Sequence, residues 1–334
     1  MNYIGSKYSL LPFIEKTVSN VVGTNLSEMV FCDLFAGTGI VGRSFKPRVK
    51  KIISNDIEYY SYVLNRNYVG NHQDIKNKEQ YIDELNSTEG IENGFVYKNY
   101  CKGSGSGRQY FSDENGKRID AIRQKIENWY TSKEISEDLY FFLLCSLLES
   151  ADKLANTASV YGAFLKNLKA SAKKELVIEP ALYSENVNEH EVYCEDSNIL
   201  IRRIQGDILY LDPPYNARQY GANYHILNTI AEYKPFIPKG KTGLREYKKS
   251  SYCSKRTVLG SFKDLICNAQ FNYIILSYNN EGLMSLNDIK EIMSKYGNYR
   301  IVSQDYHRFR ADREENRNHL ATRTTEYLHL LEKR

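Results

Sequence analysis

Short apolar runs and longer helical periodicities divide this chain into segments of different character. Met29–Leu34 (MVFCDL) is an apolar run that ends at an acid, Phe35–Gly42 is a glycine turn, and Lys51–Ser54 (KIIS) is a second run closed by Asn55-Asp56. Runs of this length bounded by turn signals read as buried strands, so the segment predicts strand, tight turn, helix and strand. That is half of a doubly wound parallel sheet. Tyr59–Tyr68 continues as a helix. Later, Glu191–Cys194, Ile208–Leu211 and Tyr273–Ser277 are β-branched or aromatic runs. Ile301–Ser303 and Tyr327–Leu331 offer strands to close the sheet, with the charged Tyr306–Asn318 between them.

The stretch from about Gly70 to Pro180 has another rhythm. Ile119, Ile122, Ile126 and Trp129 recur at i, i+3, i+7 and i+10, which places them on one helix face. Trp129 reads as core. Leu139–Leu154 is mostly apolar and predicts a buried helix. Gly103–Arg108 (GSGSGR) is a hinge or lid candidate, with a plain surface linker as the alternative. The expected organisation is an α/β domain formed by residues 1–70 and 190–334, interrupted by a mostly helical insertion over 71–189.

Composition narrows the class without deciding it. Hydrophobic residues make up 42% and charged residues 26%, which argues against wholesale disorder. No apolar run approaches the roughly 18 residues of a membrane helix, and the N-terminus has no secretory pattern. The six cysteines are scattered, with neither disulfide nor zinc-ligand spacing, which suits reduced thiols in a cytoplasm. Lys plus Arg number 45 against 41 Asp plus Glu, a net charge of +4, so position matters more than total.

Two constellations carry chemistry. Gly37, Gly39 and Gly42 satisfy G-x-G-x-x-G directly after a strand, and Asp56 closes the next strand. Glycines let the backbone approach a ligand, and the acid can accept from ribose hydroxyls. Nicotinamide dinucleotide and S-adenosylmethionine both satisfy this pattern. The second constellation is Ile208–Tyr215 (ILYLDPPY), an apolar strand ending in Asp212-Pro213-Pro214-Tyr215. Two prolines cannot donate ladder hydrogen bonds, so the chain leaves the sheet in a rigid turn. Asp212 and the Pro213 carbonyl offer acceptors, and Tyr215 offers a flat face. A planar exocyclic amine such as adenine N6 carries two donors and stacks on an aromatic ring.

These motifs resemble those of the Dam-like, alpha-group DNA adenine-N6 methyltransferases. Asn2–Lys7 (NYIGSK) looks like their N-terminal cofactor motif, Asp33–Gly39 (DLFAGTG) like their glycine motif, and Asn55-Asp56 like the acid after the second strand. Asp212–Tyr215 looks like their catalytic motif, and the order of motifs is the alpha-group order. The resemblance implies a Rossmann-like class I methyltransferase fold with a target-recognition insertion. It also implies S-adenosylmethionine as cofactor, held by Tyr3, Lys7, Asp33, Phe35, Gly37, Gly39, Asp56 and Asp212, with Asp196 near its adenine. Asp212, Pro213, Pro214 and Tyr215 would be catalytic.

The reaction so implied is site-specific methylation of adenine N6 in double-stranded DNA, by base flipping and direct in-line transfer, in a restriction–modification setting. Extrusion of the base costs a few kcal/mol, and stacking on Tyr215 returns roughly 1–3 kcal/mol. DNA contacts are expected from Lys166–Lys174, read as a basic helical segment, from the basic loop Lys239–Arg256, and from His307–Arg317. His225 is expected to be structural or to touch the DNA backbone. A cognate nuclease is a possible partner, and a monomer or weak dimer is the expected assembly. The rival readings are an RNA adenine or protein-amide methyltransferase and a catalytically silent DNA-binding module.

Overall fold

The computed structural model describes residues 6–71, 75–307 and 323–334. Seven strands form one sheet: β1 (Val30–Asp33), β2 (Lys51–Asn55), β3 (Glu191–Tyr193), β4 (Gln205–Leu211), β5 (Gln270–Asn279), β6 (Gly297–His307) and β7 (Arg323–Lys333). Their order is β3-β2-β1-β4-β5-β7-β6. Every pairing is parallel except the two made by β7, which runs antiparallel to β5 and β6. This is a Rossmann-like, mostly parallel sheet with one reversed strand. Each run that the sequence predicts as a strand overlaps one of these seven, with Met29, Leu34 and Cys194 falling just outside β1 and β3.

The chain divides into two compact units. One contains the whole sheet and comprises Gly5–Ile57, Asn188–Gln219 and Lys249–Arg334. Its core includes Leu209, Leu211, Ile274 and Leu276 from the sheet, with Phe262 and Met293 from helices Val258–Asn268 and Leu286–Ser294. The parallel strands read as continuous apolar runs because both of their faces are covered.

The other unit is helical and, among the described residues, comprises Glu58–Val187 and Tyr220–Lys248. Two long helices organise it, Asp113–Thr131 and Glu137–Leu154. Each starts at a serine whose side chain accepts a backbone N–H of the first turn, Ser112 from Asn115 and Ser136 from Leu139. Acids follow directly in each first turn, where they complement the helix dipole. Ile119, Ile122, Ile126 and Trp129 all point into the core, as their spacing predicts. Helix Glu137–Leu154 is buried along most of its length.

The division falls elsewhere than the expected boundaries at 70 and 190. Helix Tyr59–Asn65 belongs to the helical unit because Tyr60, Val63 and Leu64 are buried in its core. Residues 220–248 also join it, through helix His225–Glu232, whose Ile226, Leu227 and Ile230 are buried there. That return of the chain carries no sequence boundary signal.

Arg123 locks the returning helix. Its side chain, 3% exposed, donates from Nε to the Ile230 carbonyl and from Nη2 to the Ala231 carbonyl, each at 3.0 Å. Nη1 donates to Glu127 at 2.8 Å. Replacing it, as in Arg123→Leu, leaves these acceptors without a buried donor. Urea unfolding should show a loss of about 3 kcal/mol, the scale for breaking a buried charged network.

Candidate active site

The glycine turn leaves β1 and the Asp-Pro-Pro-Tyr turn leaves β4, and these strands are hydrogen-bonded neighbours with Asp33 opposite Tyr210. The order of strands reverses between β1 and β4, and open α/β sheets bind ligands at the carboxyl ends of strands at such a switch point. Two motifs far apart in sequence are therefore brought to one edge. Gly37 and Gly39 have φ of 52° and 75°, a left-handed backbone that glycine adopts without strain. Asp56, at the end of β2, accepts the Gly37 N–H at 2.9 Å and fixes the turn.

Asp33 is buried, and one of its oxygens accepts the Gly42 N–H at 2.9 Å. The other oxygen, Oδ1, has no hydrogen-bond partner among the described residues. Burial pushes its carboxyl up to about 7, opposed by the Gly42 N–H and reinforced by the negative charges of Asp212 and Asp56. Phe35 lies edge-on to Tyr252, ring centroids 5.0 Å apart, and the Tyr252 hydroxyl donates to Asn198 at 2.9 Å. Asp196 caps the one-turn helix Ser197–Leu200 by accepting from Asn198 and Ile199 N–H. Its carboxylate thus has a structural task, while Tyr252 is an aromatic wall that the sequence reading missed.

Lys7 forms the centre of the site. Its ammonium, 5% exposed, is 2.9 Å from Asp212 Oδ1 and 3.5 Å from Glu326 Oε1, and it donates to the Tyr215 hydroxyl at 2.6 Å. That hydroxyl is 2.7 Å from both Asp212 Oδ1 and Glu326 Oε1. The Ser277 hydroxyl donates to Glu326 Oε1 at 2.6 Å. The structure therefore sets Lys7, expected on the cofactor, against the Asp-Pro-Pro-Tyr turn. Tyr215 is half-buried, edge-on to Tyr278 with centroids 4.9 Å apart. Burial raises the Asp212 carboxyl, Lys7 opposes the shift and Glu326 adds to it. Burial also raises the Tyr215 phenol, which stays protonated. Glu326 escaped the sequence reading altogether. Pro213 and Pro214 follow β4 directly and keep the turn out of the ladder. Tyr3 lies outside the described residues.

The basic segments divide differently from expectation. Lys166–Lys174 is irregular, with a single 3-10 turn at Ser171–Lys173, instead of a helix. The Asn156 side chain donates to the Leu165 carbonyl and accepts the Lys169 N–H, both at 3.0 Å, so tertiary hydrogen bonds replace helical ones. Arg108 of the GSGSGR loop donates to the Gly240 carbonyl at 2.9 Å and the Lys241 carbonyl at 3.2 Å. The Tyr100 hydroxyl donates to the Gly243 carbonyl at 2.7 Å. That loop is thus a buttress for the basic turn Lys239–Leu244. His225 is fully buried, 3.1 Å from the Tyr161 carbonyl, and burial lowers its pKa to about 4, so its role is structural. The run His307–Arg317 lies outside the described residues after His307.

No group of three or more potential metal ligands occurs among the described residues, and no helix there is long and apolar enough to cross a membrane.

A reversed β7 in a parallel sheet, a glycine turn and an acidic proline turn at its switch point define a class I methyltransferase. Residues 3–318 match the family of D12 class N6 adenine-specific DNA methyltransferases, and the chain belongs to that family. It is 62% identical to the Type II methyltransferase M.NlaIII of Neisseria lactamica, over 100% of this chain and 99% of that protein. It is 39% identical to the Type II methyltransferase M.CviAII of Paramecium bursaria Chlorella virus 1, over 93% of each. Identity to the Type II methyltransferase M.FokI of Planomicrobium okeanokoites is 37%, over 100% of this chain and 53% of that protein.

Asp33 carries a pH dependence. Its folded pKa of about 7 lies above the unfolded value near 3.8, so between them the folded chain holds the extra proton. Stability from this group is fully present below pH ~4 and is lost as pH rises through about 7. Urea titrations from pH 4 to 8 should show Asp33→Asn losing less stability than the parent over that window, by up to about 4 kcal/mol.

Proposed function

We propose that this chain is a Dam-like, site-specific methyltransferase that uses S-adenosylmethionine to methylate adenine N6 in double-stranded DNA, as the modification partner of a Type II restriction system. The observation that carries the reading is the emergence of Asp33 and Asp212 from adjacent strands at the switch point. The family supports the substrate, and the Type II relatives support the setting.

The residues present fit the cofactor. Asp33 Oδ1 is a buried acceptor without a partner, as an ammonium group requires. Gly37 and Gly39 bring a left-handed backbone without side chains to the end of β1, Asp56 stands where ribose hydroxyls would be held, and Phe35 with Tyr252 makes an aromatic wall near Asp196. When bound, S-adenosylmethionine supplies an electrophilic methyl group.

The chain's own work concerns the adenine. In a duplex the target amine is paired and stacked, so the base must be extruded at a cost of a few kcal/mol. Tyr215 offers its ring to the extruded base. Asp212 and the Pro213 carbonyl accept from the amine, favouring a more tetrahedral nitrogen and freeing its lone pair. As positive charge develops on N6 these contacts strengthen, so they stabilise the transition state more than the ground state. The Asp212 oxygen not engaged with Lys7 and Tyr215 is the one suited to the amine. Residues 71–189 and the basic turn Lys239–Leu244 would supply phosphate and base contacts.

Asp212→Ala should abolish methyl transfer in a tritiated-methyl assay and leave DNA binding within about threefold. An active Asp212→Ala enzyme would refute the assignment. Arg108→Ala should release the turn at Gly240–Gly243, weaken DNA binding and flatten its dependence on salt by about one counterion's worth. Filter binding from 50 to 200 mM salt checks this, and an unchanged slope removes that turn from the interface.

A further inference from the structure

We infer that Glu326 is a positioning residue that sets the charge of the catalytic turn, by sharing Lys7 and the Tyr215 hydroxyl with Asp212. The inference rests on Asp212 acting as the acceptor for the amine.

The geometry is specific. Glu326 is fully buried on β7, opposite Asn279 of β5. Its Oε1 meets the Tyr215 hydroxyl at 2.7 Å, the Ser277 hydroxyl at 2.6 Å and the Lys7 ammonium at 3.5 Å. Its Oε2 is buried with no partner among the described residues. Nothing in strand pairing needs an acid here, since Leu328 and Leu330 fill the same face of β7 and are buried. A buried, half-satisfied carboxylate is a costly thing to keep.

The charge count explains what it does. Lys7 alone with Asp212 would make a neutral ion pair, whose carboxylate is already spent on an ammonium. Glu326 adds a second negative charge to the same cation, so Lys7, Asp212 and Glu326 together carry a formal −1. That surplus is what a nitrogen becoming cationic requires beside it. Glu326 also fixes the phenol, because the single Tyr215 proton is held between two acceptors, and the phenol in turn holds Asp212 Oδ1. Among the described residues, the charges and titratable groups around Asp212 are Lys7 from the N-terminal segment, Tyr210 and Tyr215 on and after β4, Asp33 on β1, and Glu326 on β7.

Glu326→Gln is isosteric, keeps an acceptor for Ser277 and removes only the charge. Its single-turnover methyl-transfer rate should fall about 10- to 100-fold, the effect of one unit charge a few ångströms from the reacting nitrogen. Calorimetric affinity for S-adenosylmethionine and for DNA should stay within about twofold, as should the fluorescence change of 2-aminopurine on base extrusion. The acid limb of the rate profile should move to lower pH, because Asp212 loses a negative neighbour that raises its carboxyl. Glu326→Asp, which keeps the charge, should recover most of the rate. A wild-type rate in Glu326→Gln, or a parallel loss of cofactor affinity, overturns the inference, as does Glu326→Asp being as slow as Glu326→Gln. Should Glu326→Gln not fold, Tyr215→Phe removes the bridging hydroxyl and should slow the same step about 10-fold with DNA affinity kept. A wild-type rate there overturns the network. An unaffected Glu326→Gln beside an inactive Asp212→Ala removes Glu326 alone, whereas an active Asp212→Ala removes the functional reading beneath it.

Discussion

A single buried ammonium makes the rest of this site possible. Two carboxylates converging on one phenol inside a protein would repel each other and lose their hydration, and burying charges without a partner costs several kcal/mol each. Lys7 sits within 2.9 Å of one and 3.5 Å of the other and donates to the phenol between them. The cation stands 208 positions from Tyr215 in sequence, and the acid that completes the group stands 111 positions beyond that tyrosine. Only the tertiary fold assembles the trio. The sheet order brings Tyr215 and Glu326 together, by placing β5 next to β4 and β7 next to β5.

The reversed strand has a chemical consequence as well as a topological one. Because β7 runs against β5, its residues near Arg323 lie by the carboxyl end of β5, at the edge where the Asp-Pro-Pro-Tyr turn emerges. A parallel seventh strand would present its other end there. The antiparallel register sets Glu326 opposite Asn279, one diagonal step from Ser277 on the same face. Glu326 thereby reaches the Tyr215 hydroxyl from below the turn.

Most of this sheet was legible in the sequence because buried parallel strands announce themselves as apolar runs closed by turn residues. Asp212–Tyr215 was legible for the same local reason, since two prolines after an apolar run force an exit from the sheet. Glu326 was not, because TEYLHLL reads as an ordinary strand and the acid's partners lie on other elements. Its one local trace is that it continues the stripe of Leu328 and Leu330, where an acid has no packing reason to stand. Lys166–Lys174 failed in the opposite way. Its composition favours a helix, yet Asn156 takes the Leu165 carbonyl and the Lys169 N–H into tertiary hydrogen bonds. The division between units was misplaced because the aromatic helix Tyr59–Asn65 gives no local sign of which core it enters.

Buried acids in this chain can be sorted by what satisfies them. Asp120 is fully buried in the helical unit, and burial raises its carboxyl. Both of its oxygens accept, from the Val96 and Tyr97 N–H groups and from the Tyr233 hydroxyl. It caps the helix Phe95–Tyr100, and its charge is consumed by that task. Asp33 and Glu326 are buried to the same degree, yet each keeps one oxygen without a partner among the described residues. Selection for stability alone would replace such groups with an amide or an apolar side chain. Under the proposed function these oxygens, at the carboxyl edge of the sheet, are the acceptors for a cation: a ligand's ammonium at Asp33, and a nitrogen gaining charge near Asp212 and Glu326. The distinction depends on counting hydrogen bonds to each oxygen, because burial and the direction of the pKa shift are the same for Asp120 and Asp33.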